Sequence, residues 1–250
     1  MDEPNREAGD IRGSEDIPKN GNSIPRPRLA PMDKVCGLVL GVDGKASRQI
    51  NHGDQATVGF FARRGGHVVD LAFPAKARIK ADTACISEGE AYLLGGLIAA
   101  LRPLKVLETG THRGRSTKAI LEALVFNGQG HIWTVDADDY QTLKHALTDR
   151  EKEHITQIVG RTPGVFSEKP LSDLEGIDFA FIDGDHTYQG LMADLKYVEA
   201  HRAKRCVVLV DNSQDEQWPD VAEGMREWSE IYPAVTLETM LGMDLMILDG

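Results

Sequence analysis

Short apolar segments alternate with helical segments from residue 87 to the C-terminus, and this alternation constrains the fold more than any other feature. Ser87-Glu88-Gly89-Glu90 fits a capping box, and the apolar residues after it repeat at helical spacing up to Pro103. Beyond Pro103 the pattern predicts strands at 105–107, 131–135, 156–159, 178–182 and 206–210, helices at 116–126, 141–148, 189–201 and 219–230, and closing strands near 235–240 and 244–248. Such alternation predicts an α/β fold with a doubly wound, Rossmann-like, mostly parallel seven-stranded sheet and right-handed crossovers.

The N-terminal part of the chain has a different composition. Residues 1–33 contain five prolines and almost no apolar periodicity, which predicts a disordered tail. Residues 34–84 are predicted to form a small β-rich cap. Within it, segments 57–62 and 67–73 flank the four residues 63–66 and predict a hairpin with a four-residue loop. The chain therefore divides into a tail, a cap and an α/β domain at 85–250, and we expect the cap and the loop 213–218 to select the substrate.

Composition narrows the class of partner. The net charge of −11 disfavours a nucleic-acid or anionic membrane surface, and no apolar run approaches the ~20 residues of a membrane span. The three scattered cysteines, Cys36, Cys85 and Cys206, suit reduced thiols better than a disulfide framework. We expect a cytoplasmic protein that acts on a small molecule without binding nucleic acid or membrane; homo-oligomerisation stays open.

The stretch Leu104–Thr117 combines an apolar strand, a glycine turn and the start of a helix, an arrangement suited to a nucleotide-like ligand. A phosphate-binding P-loop is excluded, because Gly110 and Gly114 are one residue too close and Arg115 replaces the lysine. The dinucleotide pattern is excluded because a third glycine is missing. The pattern that remains, E-x-G-x-x-x-G, favours a cationic, nucleoside-bearing ligand over a triphosphate.

Residues of this pattern each suggest a contact with the ligand. Glu108 would orient a cationic group, Gly110 would allow close approach of the backbone, and Ser116 would meet a carboxylate at the helix N-terminus. Asp136 ends the next strand, 22 residues after Gly114, close to the offset at which an acid reaches ribose hydroxyls. Arg161, after the third strand, marks where an adenine ring would lie.

These residues resemble motif I and the ribose-binding acid of the class I S-adenosylmethionine-dependent methyltransferases, and the resemblance covers about residues 85–250. Within that superfamily the chain is similar to the catechol and caffeoyl-CoA O-methyltransferases, to macrocin O-methyltransferase and to cephalosporin hydroxylase-like proteins. The segment Phe181–Tyr188 carries much of this likeness. The resemblance implies S-adenosylmethionine as cofactor, held by Glu108, Gly110, Thr111, His112, Gly114, Ser116, Asp136, Arg161 and Asp183.

Four predicted strands end in acidic or amide residues: Glu108, Asp136, Asp183 and the pair Asp211-Asn212. Ligands bind outside the carboxyl ends of strands in such sheets, so we expect all four ends to face one crevice.

The last of these strand ends also suggest a metal. Asp183, Asp211 and Asn212 offer hard oxygen ligands for Mg²⁺, with Asp185 as a candidate fourth ligand. In the catechol-type relatives this trio resembles the metal site. The same relatives carry a lysine general base where this chain has His186, which can take a hydroxyl proton at neutral pH; a structural hydrogen bond beside Tyr188 is the alternative.

The leading hypothesis is therefore a Mg²⁺-dependent O-methyltransferase acting on a small hydroxylated molecule. A metal-independent methyltransferase acting on nitrogen or on a sugar hydroxyl is the alternative. A nicotinamide-dependent oxidoreductase is disfavoured by the missing glycine pattern. A binding protein that has kept the cofactor pocket but lost turnover would be separated from an enzyme by a single-turnover assay.

Overall fold

In the computed structural model of the chain, the described residues are 85–139, 141–237, 239 and 241–250, together with the backbone of two short strands at 61–64 and 67–70. The predicted tail and most of the predicted cap lie outside the described residues. None of the helices described has the length and apolar character needed to cross a membrane.

The helices and strands follow the predicted order closely. The helices are α1 (Glu88–Leu101), α2 (Arg115–Asn127), α3 (Gln141–Ala146), α4 (Asp149–Lys152), α5 (Tyr188–His201) and α6 (Pro219–Trp228). The strands are β1 (Phe61–Arg64), β2 (His67–Asp70), β3 (Lys105–Thr109), β4 (His131–Asp136), β5 (Ile155–Val159), β6 (Ile177–Ile182), β7 (Arg202–Val210), β8 (Ala234–Leu237) and β9 (Met243–Asp249). Two 3₁₀ turns, Gly164–Ser167 and Leu171–Asp173, lie between β5 and β6.

Seven strands form one sheet in the order β5-β4-β3-β6-β7-β9-β8. The first five are parallel, and β9 runs antiparallel to both β7 and β8. The predicted Rossmann-like, mostly parallel sheet is confirmed. The largest difference in bounds is at β7, which begins at Arg202 and not at 206. Its first residues are polar and carry no apolar signal, yet Arg202 pairs with Ile177 and Arg205 with Asp249.

The hairpin prediction is wrong in its loop. Strands β1 and β2 pair antiparallel with Arg64 opposite His67, so two residues connect them where four were expected. The two connecting residues are glycines, which suit a two-residue hairpin turn.

Local chemistry accounts for the ends of the first two helices of the domain. The Ser87 N–H donates to Glu90 Oε2 at 2.7 Å and the Glu90 N–H donates to Ser87 Oγ at 3.2 Å, which confirms the capping box. Helix α1 ends at Arg102, whose φ of 54° is left-handed and which precedes Pro103. Helix α2 ends at Gly128 with φ 67°.

Side chains of the sheet alternate between two apolar layers. On β6, Phe179 and Phe181 face the layer formed with α1 and α2, whereas Ala180 and Ile182 face the layer formed with α5 and α6. Cys206 is buried in the second layer, and burial raises the pKa of its thiol to about 12. The Cys206 thiol is therefore part of the apolar core, in agreement with the expectation of a reduced cysteine.

A buried ion pair joins α2 to α4. Lys118 Nζ contacts Glu151 Oε1, and each side chain is only 5% exposed. Burial alone would raise the pKa of the Glu151 carboxyl, but hydrogen bonds from Lys118 and Thr148 outweigh it and lower the pKa. Glu151 also completes the capping box of α4, since the Thr148 N–H donates to its Oε2 at 2.8 Å.

We expect Glu151→Gln to lower the free energy of unfolding by about 3 kcal/mol, because glutamine keeps the cap but leaves the buried Lys118 ammonium with only the more distant Glu122 carboxylate, 3.9 Å away, as its counter-charge. Urea unfolding followed by near-ultraviolet circular dichroism measures the change. Lys152→Gln is the matched control, since the Lys152–Asp149 pair is exposed and its loss should leave the unfolding midpoint in place. The double variant Lys118→Met with Glu151→Gln, which keeps the cap and removes the buried charge, should recover most of the lost stability. An unchanged midpoint in Glu151→Gln would contradict the assignment.

Candidate functional site

Backbone hydrogen bonds join the carboxyl ends of neighbouring strands into one continuous edge. Asp183 N donates to Thr109 O at 2.9 Å, and Asp211 N donates to Ile182 O at 3.0 Å. On the other side, Gly110 N donates to Val135 O and Gly160 N donates to Asp136 O, both at 2.8 Å. The four acidic strand ends predicted from the sequence therefore lie side by side along one edge of the sheet.

The glycine turn is fixed by close contacts that only glycine allows. Gly110 has φ 90°, and a Cβ built on it would lie 1.9 Å from the carbonyl oxygen of Asp183. Gly114 has φ 84°, and a Cβ there would lie 2.6 Å from Leu143 Cδ1. The turn between β3 and α2 is thus pressed against the end of β6 on one side and against α3 on the other.

The N-terminus of α2 opens at this turn. Its N-cap residue is Gly114, which has no side chain to accept from the first N–H groups of the helix. Ser116, in the first turn, is buried at 5% exposure. An uncapped helix N-terminus is a favourable position for a carboxylate, and the contact of Ser116 with one stays a prediction.

Glu108 lies beneath the turn and is fully buried. Its Oε2 accepts from the hydroxyls of Thr117 and Thr134, each at 2.6 Å. Its Oε1 is buried and finds no hydrogen-bond partner within the described part of the chain. Burial raises the pKa of the Glu108 carboxyl to about 7 against those hydrogen bonds. Because the Glu108 carboxyl is buried, it does not contact a ligand above the turn directly. A cation bound above the turn would favour the ionised form of this carboxyl.

Asp136 is tied to the same turn. Its Oδ2 accepts from the His112 N–H at 2.7 Å, and its Oδ1 accepts from the Asp138 N–H at 3.0 Å. His112 has a left-handed φ of 43° that directs its N–H toward the next strand. Each carboxylate oxygen keeps lone-pair capacity for a further donor, such as a ribose hydroxyl. Thr111 Oγ1 lies 2.5 Å from Thr134 Oγ1 below the turn.

Arg161 follows β5, and its side chain is exposed. Its carbonyl accepts from the Val165 N–H at 3.1 Å, so its backbone lies in the turn that follows β5, the edge strand of the sheet. The structure thus brings all the predicted cofactor residues to one edge, with Arg161 at its margin.

The second acidic cluster lies at the ends of β6 and β7. His186 Nε2 is 2.8 Å from Asn212 Oδ1 and 3.4 Å from Asp183 Oδ1. Asn212 has a left-handed φ of 59°. Asp211 Oδ1 is buried without a hydrogen-bond partner among the residues described. Burial and then the charge of Asp183 raise the pKa of the Asp211 carboxyl, and burial raises that of Asp183 against the hydrogen bond from His186.

His186 is held between these groups. Burial would lower the pKa of its imidazole, but the hydrogen bond and charge of Asp183 outweigh burial and raise it. Its ring also stacks on Trp218, with ring centroids 4.7 Å apart and planes 26° apart. Trp218 is 43% exposed and so offers an aromatic surface beside His186.

The residues of this cluster fit a small divalent cation by their chemistry. Asp211 Oδ1 is an orphaned buried oxygen, and Asn212 Oδ1 keeps one lone pair after accepting from His186. In the described ranges, no three His, Cys, Asp or Glu side chains are grouped closely enough to hold a metal ion. This cluster offers two carboxylates and the amide oxygen of Asn212, which are oxygen ligands of the kind that Mg²⁺ prefers. Asp185 is exposed and its Oδ1 accepts from the Thr187 N–H at 3.0 Å, which is a turn contact.

Sequence reasoning missed Glu90. The capping box accounted for this residue, but it is 3% exposed and its charge is felt by both Asp183 and Asp211. Its burial leaves no signal in the sequence, because the capping box fully accounts for a glutamate at that position.

Comparisons with known proteins agree with this geometry. A family model described as a methyltransferase domain matches residues 107–213, which span the strand ends from β3 to β7. No curated protein sequence matches the chain significantly.

Several solved methyltransferase structures share the fold. The O-methyltransferase TomG of Streptomyces achromogenes, solved with S-adenosylmethionine, is 18% identical over 69% of this chain and 92% of its own, with a TM-score of 0.53. An O-methyltransferase of Bacillus cereus, in complex with S-adenosylhomocysteine, is 19% identical over 67% and 84%, with a TM-score of 0.54. The methyltransferase PaMTH1 of Podospora anserina, also bound to S-adenosylhomocysteine, is 17% identical over 68% and 82%, with a TM-score of 0.52.

The matched family model spans the glycine turn, Asp136 and the second acidic cluster. Residues 107–213 thus match a methyltransferase-domain family model, and the chain has a fold that solved methyltransferases share.

Proposed function

We propose that this chain is a class I S-adenosylmethionine-dependent methyltransferase, which transfers the methyl group to an oxygen of a small hydroxylated molecule in a Mg²⁺-dependent reaction. The observation that carries the proposal is the double role of Asp183. Its backbone is bonded to Thr109 and packed on Gly110, whereas its side chain faces His186 in the second cluster. The glycine turn and the second acidic cluster are thus linked by Asp183, whose backbone contacts the turn and whose side chain belongs to the cluster.

The cofactor side suits S-adenosylmethionine in charge and shape. Asp136 would accept from the ribose hydroxyls, the α2 N-terminus with Ser116 would receive the carboxylate, and the buried Glu108 would favour the cationic end. Thr111, His112 and Arg161 would border the bound nucleoside. A triphosphate would meet Glu108 and Asp136 with repulsion.

The other side suits activation of a hydroxyl. Asp183, Asp211 and Asn212 would hold Mg²⁺, which supplies Lewis acidity that lowers the pKa of the acceptor hydroxyl. His186 would take the hydroxyl proton as the oxygen attacks the methyl carbon and the carbon–sulfur bond breaks. The products are then a methyl ether and S-adenosylhomocysteine. The face of Trp218 would position a flat acceptor beside His186.

The solved neighbours named as O-methyltransferases support oxygen as the acceptor atom. A second candidate is metal-independent transfer to nitrogen or to a sugar hydroxyl. The contact of His186 with both Asp183 and Asn212 favours this second candidate, because part of the hydrogen-bonding capacity of these groups is already used without a metal.

We expect Asp136→Ala to weaken S-adenosylmethionine binding by about tenfold to a hundredfold, because it removes charge-assisted hydrogen bonds worth about 1.5–3 kcal/mol each. Isothermal titration calorimetry measures the affinity. Asp139→Asn is the matched control, since Asp139 follows the same strand but is exposed and pairs with Lys144. Equal affinities for Asp136→Ala and the unmodified enzyme would remove Asp136 from the cofactor site.

Cofactor affinity should rise with pH through the titration of Glu108. Only the ionised carboxylate attracts a cation, and in the free enzyme burial raises the pKa of Glu108 to about 7. The Kd for S-adenosylmethionine should therefore fall by about tenfold between pH 6 and pH 8. Glu108→Gln, which keeps acceptors for Thr117 and Thr134, should flatten this dependence; an unchanged slope in the variant would place the titration elsewhere.

Metal dependence is tested by the release of S-adenosylhomocysteine with a panel of catechols, other phenols and sugars. We expect turnover with a vicinal diol that EDTA abolishes and Mg²⁺ restores. Asp211→Asn should abolish the metal-stimulated turnover and leave cofactor affinity within about threefold, since Asp211 lies one strand beyond the turn. Turnover that EDTA does not affect would favour the metal-independent candidate, and equal loss of cofactor affinity would move Asp211 to the cofactor side.

A further inference from the structure

We infer that Asp220 is a positioning residue of the acceptor site: its carboxylate ties the start of α6 to the start of α5 and so holds Trp218 against His186. This inference rests on the proposed function, in which His186 takes the acceptor proton and Trp218 positions the acceptor. It gives an exposed side chain that lies outside the acidic strand ends a part in aligning the reaction.

One hydrogen bond joins the two helices beside the stacked rings. The Tyr188 N–H donates to Asp220 Oδ2 at 3.1 Å. Tyr188 follows His186 by two residues, and Asp220 follows Trp218 by two residues. The bond therefore links the two chain segments that carry the rings, whose centroids are 4.7 Å apart. A shift of one segment past the other would have to stretch this bond.

The Asp220 carboxylate is favourably placed for such a link. It lies in the first turn of α6, and the N–H group that it accepts belongs to the first residue of α5. Helix N-termini carry partial positive charge and N–H groups without a partner in the helix, so one carboxylate stabilises the starts of both helices. The Thr187 hydroxyl accepts from the Gly190 N–H at 3.1 Å, which leaves the Tyr188 N–H to Asp220.

The body of α6 is fixed by packing, but the indole before it is not. A Cβ built on Gly224 would lie 2.8 Å from Leu191 Cδ2, so α6 approaches α5 closely at this point. Trp218 precedes α6 as its N-cap residue, makes no side-chain cap and is exposed over 43% of its surface. Burial therefore does little to hold the indole. Of the contacts between α5 and α6, the bond to Asp220 lies closest to it in sequence.

The loop before α6 carries both partners of the His186 ring. Asn212 Oδ1 lies 2.8 Å from His186 Nε2. The Asp215 N–H donates to the Asn212 carbonyl at 3.2 Å, and the Trp218 N–H donates to the Asp215 carbonyl at 3.1 Å. The imidazole is thus contacted at its edge by the first residue of this loop and on its face by the last. Asp220 fixes the end of the loop that carries the indole, and with it the surface offered to a flat acceptor.

The test compares Asp220→Ala with Asp220→Asn in the full-length protein by nuclear magnetic resonance at alkaline pH, where imidazoles are neutral. The ring current of Trp218 displaces the resonance of the His186 Cε1–H, and Trp218→Ala gives the position of this resonance without stacking. We expect Asp220→Ala to move the resonance most of the way to that position. Asparagine keeps an oxygen acceptor for the Tyr188 N–H and should restore the resonance of the unmodified protein.

Glu223→Ala is the matched control. It removes an exposed carboxylate of the same helix, which lies 3.8 Å from Arg226, and should leave the resonance in place. With an acceptor that the unmodified protein methylates, Asp220→Ala should lower kcat/KM by about tenfold and leave the Kd for S-adenosylmethionine unchanged. A general loss of structure would lower cofactor affinity as well, and thermal unfolding of each variant reports it.

Four outcomes would overturn the inference in distinguishable ways. An unmoved resonance in Asp220→Ala would show that this carboxylate does not hold the stack, and the proposed function would stand. Equal shifts in Asp220→Ala and Asp220→Asn would assign the effect to charge and not to the bond from Tyr188. A moved resonance with unchanged kcat/KM would show that the stack does not align the acceptor. If the unmodified protein methylates no acceptor of the panel, the proposed function fails and the inference fails with it.

Discussion

The contact between Gly110 and the Asp183 carbonyl is the constraint on which the rest of the site depends. Because a Cβ at Gly110 would lie 1.9 Å from that oxygen, no other residue allows β3 and β6 to end so close together. The Asp183 N–H is bonded to Thr109 at the same point, so the close approach is fixed from both strands. The two strand ends therefore form one rigid unit. One end would hold the cofactor and the other would face the acceptor, so their fixed spacing would align the methyl group with the acceptor oxygen.

The second constraint is the burial of negative charge. Glu90, Glu108 and Asp211 are each less than a tenth exposed, and burial raises the pKa of Glu108 to about 7. In the unfolded chain the Glu108 carboxyl ionises near its ordinary value of 4.5, so the unfolded state loses this proton first as the pH rises. The free energy of unfolding consequently falls between these two values, unless a bound cation favours the ionised native state. In this pH range the folded protein is thus less stable without a bound cation than with one, which suits a site for a cationic cofactor.

Much of the fold was predictable because its signals are local. Apolar periodicity located every strand of the large sheet, and Ser87 with Glu90 located the start of α1. The parallel topology then placed the acidic strand ends side by side, since carboxyl ends of parallel strands share an edge. The polar start of β7 at Arg202 was missed because its pairing with Ile177 leaves no trace in local hydropathy. The contact of His186 with Asn212 was missed for the same reason, since the two belong to different loops.

Glu90 shows why a satisfied local motif can conceal a distant role. Its carboxylate has two oxygens, and the capping box uses only Oε2, so a complete local explanation still leaves Oε1 to be accounted for. More than a hundred residues separate Glu90 from Asp211 along the chain, and only the packing of residues 85–90 on the glycine turn brings their charges into range. The start of α1 is therefore held by two kinds of contact. Its own cap uses Ser87 and Glu90, and the bonds of Ile86 to Arg115 and of Cys85 to His112 tie it to the glycine turn.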